Sequence, residues 1–251
     1  MSGHSKWAQI KRKKAVIDAK RGKVFSKLIK EITIAARMGG GDENSNPRLR
    51  QAILTAKSQN MPASNIERAI AKGTGELEGT TYEEISYEAY APGGVAVLME
   101  ALTDNKNRTV SEIRHILTKH GGNLATTGSV SWMFENKGTI TIDKEYCSED
   151  DLLLIATEAG ADDVNIADDC YEITTDPSAF EQVKSAFEDS NIKVLEAAIS
   201  MIPKNTVKVE ESNAPKILTI MEALEDHDDI QSVFSNFDID DSILEKLQEN
   251  G

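Results

Sequence analysis

The hydrophobic pattern of this chain changes its period at one glycine-rich segment, residues 73–79. Before this segment, apolar residues recur every three or four positions, as they do along one face of a helix. After it, short runs of alternating apolar and polar residues indicate strands, with further helices between them. The apolar faces of helices and of strands pack against different kinds of neighbouring element. The change therefore predicts a helical N-terminal domain followed by an α+β region.

Three amphipathic helices are predicted in residues 1–75. The first ends at the glycines of residues 39–41, because glycine adopts the left-handed conformation that closes a helix. The second begins at residues 46–47, a capping asparagine followed by proline at the first helical position. The third begins at a capping box in residues 64–67 and ends at Gly73. These helices form the predicted N-terminal domain.

The rest of the chain predicts two ferredoxin-like α+β domains, one inserted in the other. Residues 139–202 have the element order βαββαβ, which is typical of the ferredoxin-like fold. Residues 80–138 supply two strands, a helix opened by a capping box at residues 109–112, and a further strand that ends before a turn at residues 136–138. A later helix and strand in residues 205–240 would complete this outer domain. Hydrophobic residues are only 39% and aromatics 5% of the 251 residues, which favours several small cores.

Charge is distributed very unevenly along the chain. Residues 1–80 contain 16 lysines and arginines against 7 acids, a net charge of +9, and residues 81–251 contain 12 against 35, a net charge of −23. Asymmetry of this size indicates a basic interaction domain on an otherwise acidic protein. We therefore expect the first domain to bind a polyanion.

The basic residues of the first domain are the main candidates for phosphate binding. Dense positive charge is relieved when a phosphate backbone neutralises it and counterions are released. The alternative is a solvated face that acids of the body neutralise. Trp7 either stacks on a base or anchors the first helix in the core. The candidates in this domain are Lys6, Trp7, Lys11, Arg12, Lys13, Lys14, Lys20, Arg21, Lys23, Arg48 and Arg50.

A second, smaller basic patch occurs in the acidic body. Lys106, Arg108 and Arg114 lie at and after a turn that begins a predicted helix. A helix N-terminus offers free backbone N–H groups as well as these cations, which suits phosphate. The alternative is a polar turn in which Asp104 and Thr109 only cap the helix.

No pattern in the sequence indicates catalysis, a metal or a cofactor. The four histidines lack metal-ligand spacing, and no nucleophile motif occurs. The acids of residues 226–241 lack the loop pattern of a calcium site. Two separate cysteines, no secretory signal and no apolar run long enough to span a bilayer predict a cytoplasmic protein without membrane contact. No dimerising heptad occurs, and we expect a monomer.

The order of short motifs along almost the whole chain resembles the YebC/PmpR family, which includes the mitochondrial translational activator. The resemblance is carried by Gly3-His4-Ser5-Lys6-Trp7, Asp18-Ala19-Lys20-Arg21-Gly22-Lys23, Asn46-Pro47-Arg48-Leu49-Arg50, Pro92-Gly93-Gly94, Asn107-Arg108-Thr109 and Lys119-His120-Gly121-Gly122. Ala89, Ala91, Lys106 and Ala125 depart from the family pattern.

The resemblance implies three domains, no cofactor and a role in gene expression. It implies either a DNA-binding transcriptional regulator or a translation factor that binds ribosomal RNA or the ribosome and relieves stalling. Phosphate contacts carry no information on base or sugar, so the sequence leaves both open. The absence of a clear recognition helix favours binding by shape and charge, which RNA recognition commonly uses.

Overall fold

The structure is a computed structural model and describes residues 7, 10, 21–167 and 169–249. These residues form two compact units. The first unit contains residues 21–130 and 210–233. The second contains residues 131–167, 169–209 and 234–249, together with Trp7 and Ile10.

Helices and strands alternate along the described chain after three initial helices. The helices are α1 (Arg21–Gly39), α2 (Pro47–Ser58), α3 (Ala63–Thr74), α4 (Lys106–Lys119), α5 (Glu149–Ala159), α6 (Phe180–Asp189), α7 (Ala214–Glu225) and α8 (Asp241–Glu249). The strands are β1 (Glu83–Ala91), β2 (Val95–Thr103), β3 (Asn123–Leu124), β4 (Phe134–Asp143), β5 (Asp163–Ile166), β6 (Cys170–Thr175), β7 (Val194–Pro203), β8 (Val207–Lys208), β9 (Ile230–Ser235) and β10 (Phe237–Asp238).

The three initial helices, α1, α2 and α3, pack around a small aliphatic core in the first unit. Ile32, Leu49 and Ile53 are among its buried members, and they fall on the apolar faces that the periodicity predicts. Asn46 closes the α1–α2 loop. Its side chain accepts a hydrogen bond from the Leu49 amide and donates to the carbonyl oxygens of Ala35 and Gly40. The cap predicted at Asn46 is therefore also the tie that holds the loop against α1.

The four-stranded sheet of the first unit has the order β3-β1-β2-β9. Strands β1 and β2 form an antiparallel hairpin through a 3-10 turn at Pro92–Gly94. Eight of the nine residues of β2 are buried. The late helix α7 leads to β9, which pairs with β2, so the expected return of the chain to this sheet is confirmed.

The second unit contains the predicted ferredoxin-like order β4-α5-β5-β6-α6-β7. Its sheet order is β5-β6-β4-β7, and its core packs Ile140, Ile173, Val183 and Phe187 between the sheet and the two helices. The α+β class is confirmed. The proposed division into residues 1–75, 80–138 with 205–240, and 139–202 stays a prediction.

The turn predicted at residues 136–138 is wrong. Residues 134–143 form one continuous strand, in which Gly138 pairs with Thr175 on one side and Ile199 on the other. A Cβ at Gly138 would lie 2.4 Å from Thr175 Oγ1 and 2.6 Å from Phe180 Cδ2. Glycine is required here because α6 packs closely over the strand.

The predicted boundaries of two helices also differ from the structure. Helix α4 begins three residues earlier than the expected capping box, because Asn105 caps the amide of Arg108. Helix α3 begins at Ala63, with Pro62 rather than Ser64 at the N-cap. It continues through Gly73 and ends at Thr74, before Gly75 with its left-handed φ of 86°. A Cβ at Gly73 would lie 2.4 Å from the Thr33 carbonyl oxygen. Gly73 therefore allows α1 and α3 to approach closely.

Candidate nucleic-acid interface

The structure describes only part of the predicted phosphate-binding set. The predictions on Lys6, Lys11, Arg12, Lys13, Lys14 and Lys20 lie outside the described residues, and for Arg21 only its place in α1 is described. The side chain of Trp7 is 1% exposed, which fits the alternative of a hydrophobic anchor. The remaining candidates are Lys23, Arg48, Arg50, Lys106, Arg108 and Arg114.

The lysine face of α1 contacts the C-terminal end of α7 within the same unit. Lys23 Nζ donates to the Asp226 carbonyl oxygen at 3.1 Å, and Lys27 Nζ donates to that of Glu225 at 2.7 Å. Lys30 Nζ donates to the Asp228 carbonyl oxygen at 3.0 Å. The last carbonyls of a helix lack intrahelical partners and carry partial negative charge. These three lysines are therefore used to hold α1 against α7.

Asp229 is the centre of this contact. Its side chain is buried, with Lys30 Nζ 2.6 Å from Oδ1 and an Arg108 guanidinium nitrogen 2.8 Å from Oδ2. The hydroxyls of Thr103 and Thr109 lie 3.2 Å and 2.7 Å from Oδ2. Burial acts to raise the pKa of Asp229. The hydrogen bonds from Arg108, Lys30 and Thr109 outweigh burial and hold that pKa below its ordinary value.

Glu112, His227 and Asp229 are close enough to suggest a metal site, but their hydrogen bonds argue against one. Their candidate ligand atoms lie within 4.8 Å of one another. His227 Nε2 is 2.8 Å from a Glu112 carboxylate oxygen, and its Nδ1 accepts the Asp229 amide at 3.1 Å. Both oxygens of Asp229 already face cations. A divalent ion would have to displace these cations, so the arrangement suits structure better than metal binding.

Three further predicted cations form ion pairs with acids. Arg48 makes a two-pronged contact with Glu31 at 2.7 Å and 3.0 Å and also contacts Glu84. These contacts, led by that with Glu31, raise the pKa of Arg48 above its ordinary value. Lys106 pairs with Glu83. Arg108 pairs with Asp104 as well as with Asp229.

Arg50 and Arg114 differ from these residues because they are exposed and contact no carboxylate among the described residues. Arg50 reaches only the carbonyl oxygens of Glu43 and Asn44. Arg37, Lys57 and Arg68 are likewise exposed on the three initial helices. These three residues are not among the cations that the sequence predicts to bind phosphate. They lie outside the dense N-terminal basic run, which supplies most of the cations predicted in this domain.

The comparisons with known proteins cover both parts of the molecule. Residues 5–76 match the sequence model of the TACO1/YebC protein N-terminal domain, and residues 82–237 match that of the TACO1/YebC second and third domain. The chain belongs to the TACO1/YebC family. The resemblance noted in the sequence is confirmed.

Relatives in this family match the chain over nearly its whole length. A "Probable transcriptional regulatory protein" of Syntrophus aciditrophicus is 57% identical over 98% of this chain and 99% of its own. One from Natranaerobius thermophilus is 58% identical over the same shares. A conserved hypothetical protein of Aquifex aeolicus with a crystal structure has a TM-score of 0.81 and 50% identity, covering 89% of this chain and 92% of that one.

The TACO1/YebC matches separate the N-terminal helices from the sheet-containing region near residue 80. None of the described helices has the length and apolarity needed to cross a membrane.

Proposed function

We propose that this protein is a non-enzymatic, cytoplasmic regulator of gene expression that binds nucleic acid through the phosphate backbone. The first candidate is a DNA-binding transcriptional regulator, the role that the names of its relatives describe. One observation carries the proposal. A net charge of +9 in residues 1–80 stands beside −23 in the rest of the chain, and such a basic domain attracts a polyanion.

The exposed cations of the helical domain support this proposal. Arg37, Lys57 and Arg68 are exposed and form no ion pair with a described residue. Cations that folding does not use remain available to phosphate oxygens. These three cations lie on the domain that the sequence predicts to bind a polyanion.

A second candidate is an RNA- or ribosome-binding translation factor. The observation that favours it concerns the contacts of the Arg48 and Arg108 guanidinium groups. The planar arginine fork reads guanine by two parallel hydrogen bonds in the major groove, but both of these forks are held by carboxylates. Binding would then depend on backbone charge and shape, as is common for structured RNA.

Binding of the full chain to matched targets tests the proposal. We expect retention on duplex DNA or on a structured RNA of equal length, measured by fluorescence anisotropy, and weaker binding when Lys11, Arg12, Lys13 and Lys14 are changed to Gln. A full chain that binds neither target at about 0.05 M salt, where phosphate contacts are strongest, contradicts the proposal.

Co-sedimentation with ribosomes at about 0.15 M salt separates the two candidates. A regulator of transcription should stay in the supernatant and retard duplex DNA. A translation factor should pellet with the ribosomes and prefer structured RNA over DNA of the same sequence.

A further inference from the structure

The two faces of the four-stranded sheet in the second unit have different surroundings. Helices α5 and α6 pack on the face that contains Ile140, Ile142 and Ile173, and these three side chains are buried. Side chains alternate between the two faces along a strand. The intervening residues of β4, β5, β6 and β7 therefore lie on the opposite face, which α5 and α6 do not cover.

Strand register arranges this opposite face in two rows, each of which crosses all four strands. Residues that pair across neighbouring strands lie side by side on the same face of a sheet. The first row is Asn165, Glu172, Thr141 and Glu196, and the second row is Asp163, Thr174, Thr139 and Ala198. We call these eight residues the outer face. Each of them is exposed or half-buried, so the outer face is accessible to a partner.

The outer face carries three carboxylates and no lysine or arginine. Asp163 and Glu196 are exposed, and Glu172 is half-buried and accepts a hydrogen bond from Asn165 Nδ2 at 3.0 Å. Asp163 and Glu172 are diagonal neighbours on adjacent strands, a separation of about 7–8 Å. Glu172 and Glu196 are two strands apart, which is about 10 Å. Negative charge at this density repels a phosphate backbone and attracts cations.

The spacing of the three carboxylates suits a chain of cations better than a single metal ion. Among the described residues, they do not belong to a group whose ligand atoms lie close enough to hold such an ion. An extended peptide places alternate side chains about 7 Å apart on one of its faces. Alternate lysines or arginines of such a peptide can therefore each reach a carboxylate of the outer face.

A buried hydroxyl lies at the margin of the outer face. The row beyond Thr139 and Ala198 pairs Lys137 with Ser200. Ser200 is 6% exposed, and its Oγ has no hydrogen-bond partner among the described residues. Buried hydroxyls are normally hydrogen-bonded. The backbone of a segment bound along the outer face would supply the missing partner.

We propose that the outer face binds a lysine- or arginine-rich segment of a partner protein. The three carboxylates attract the positive charge of this segment, and the threonine hydroxyls between them offer further hydrogen bonds. This contact goes beyond the proposed function, because it adds a protein partner to a chain whose first domain is expected to bind nucleic acid. The two parts of the chain then bind partners of opposite charge.

A charge-matched pair of variants of the full chain tests the outer face. The probe is a labelled peptide of alternating lysine and threonine, about 12 residues long, which is about 40 Å when extended. The test variant carries Asp163→Asn, Glu172→Gln and Glu196→Gln. The control variant removes the same charge from exposed positions on α5 and α6 through Glu158→Gln, Glu181→Gln and Asp189→Asn. Fluorescence anisotropy at about 0.05 M salt, where screening is weak, measures the affinity, and circular dichroism with urea unfolding confirms that both variants fold.

We expect the test variant to bind the peptide at least about fivefold more weakly than the unchanged protein, because three exposed ion pairs are lost. The control variant should stay within about twofold of the unchanged protein. Amide chemical shifts of the unchanged protein should move in β4, β6 and β7 on addition of the peptide. Unchanged binding by the test variant overturns the inference. Equal losses in both variants also overturn it, because only overall charge would then matter.

Three other results also contradict the inference, and none of the tests on the peptide bears on the proposed function. The unchanged protein fails to bind the peptide at about 0.05 M salt. The test variant binds duplex DNA or RNA more weakly than the control variant does, which would assign the outer face to nucleic acid. The unchanged protein self-associates in analytical ultracentrifugation and the test variant does not, which would make a second copy of the chain the occupant.

Discussion

Asp229 contributes to the stability of the fold, through its contacts with neighbouring helices, rather than to chemistry on a ligand. Its carboxylate receives Lys30 from α1, Arg108 from α4 and two threonine hydroxyls. The neighbouring Asp104 contacts the same arginine but is 40% exposed in its side chain. Removing a buried anion from among cations destabilises a protein far more than breaking an exposed pair, because the cations are left unpaired.

We therefore expect Asp229→Asn to lower the free energy of unfolding by about 2–3 kcal/mol. This is less than for a fully buried pair, because the Arg108 side chain is 43% exposed. Asp104→Asn is the control and should cost less than about 1 kcal/mol. Urea unfolding at pH 7 measures both. Equal effects of the two substitutions would show that burial of Asp229 is not what matters.

The lowered pKa of Asp229 also predicts how stability depends on pH. The folded protein keeps this carboxylate ionised at pH values where the unfolded chain protonates it. The contribution is full at neutral pH and is lost as the pH falls through about 4 and below. The difference in unfolding free energy between the unchanged protein and Asp229→Asn should shrink from pH 7 to pH 3. A constant difference contradicts the assigned hydrogen bonds.

At the scale of helices and strands, the local sequence predicts well where an element forms. It predicts poorly which distant residues that element packs against. The apolar faces of α1 and α2 follow from periodicity alone, and Asn46-Pro47 marks the correct start of α2. Residues 136–138 have the composition of a turn. In the structure they lie within strand β4, where Phe180 packs over Gly138. Close approach between distant segments is not encoded in a local pattern.

Gly73 offers a direct test of such a close approach. Alanine favours a helix over glycine by about 1 kcal/mol, yet a Cβ here would meet the Thr33 carbonyl oxygen and lie 2.7 Å from Ala36 Cβ. We expect Gly73→Ala to destabilise the protein by about 1–3 kcal/mol through overpacking. Gly22→Ala in α1, with nothing within 4 Å of its Cβ, should be neutral or stabilising. Thermal unfolding of both variants decides, and a stabilised Gly73→Ala would contradict the packing of α1 on α3.

The candidate site shows the same limit of sequence reasoning. Lys23 of α1 was predicted to bind phosphate, whereas its Nζ donates to the Asp226 carbonyl oxygen in the structure. The partners of the α1 lysines lie about 200 positions away, and Lys30 and Asp229 are 199 positions apart. Arg108 and Asp229 are 121 positions apart. The charge of a residue is visible in the sequence, whereas the acid that neutralises it is set by the fold.

Across the whole molecule, some cations hold the fold together and others remain available to a binding partner. Lys23, Lys27 and Lys30 bind the end of α7, and Arg48 and Arg108 bind carboxylates. Arg37, Lys57 and Arg68 on the helical domain are exposed and form no ion pair with a described residue. An acidic body of net charge −23 should then repel the polyanion elsewhere and orient the molecule on its target.

The dependence of the binding constant on salt concentration tests whether the protein binds through the phosphate backbone. With about six phosphate contacts, log K for duplex DNA should fall linearly with log salt at a slope near −5, and somewhat less steeply for a single strand. The affinity should be similar for unrelated duplex sequences, because phosphate contacts carry no sequence information. A full chain whose binding to duplexes is absent, or does not change between about 0.05 and 0.2 M salt, would contradict binding through the phosphate backbone.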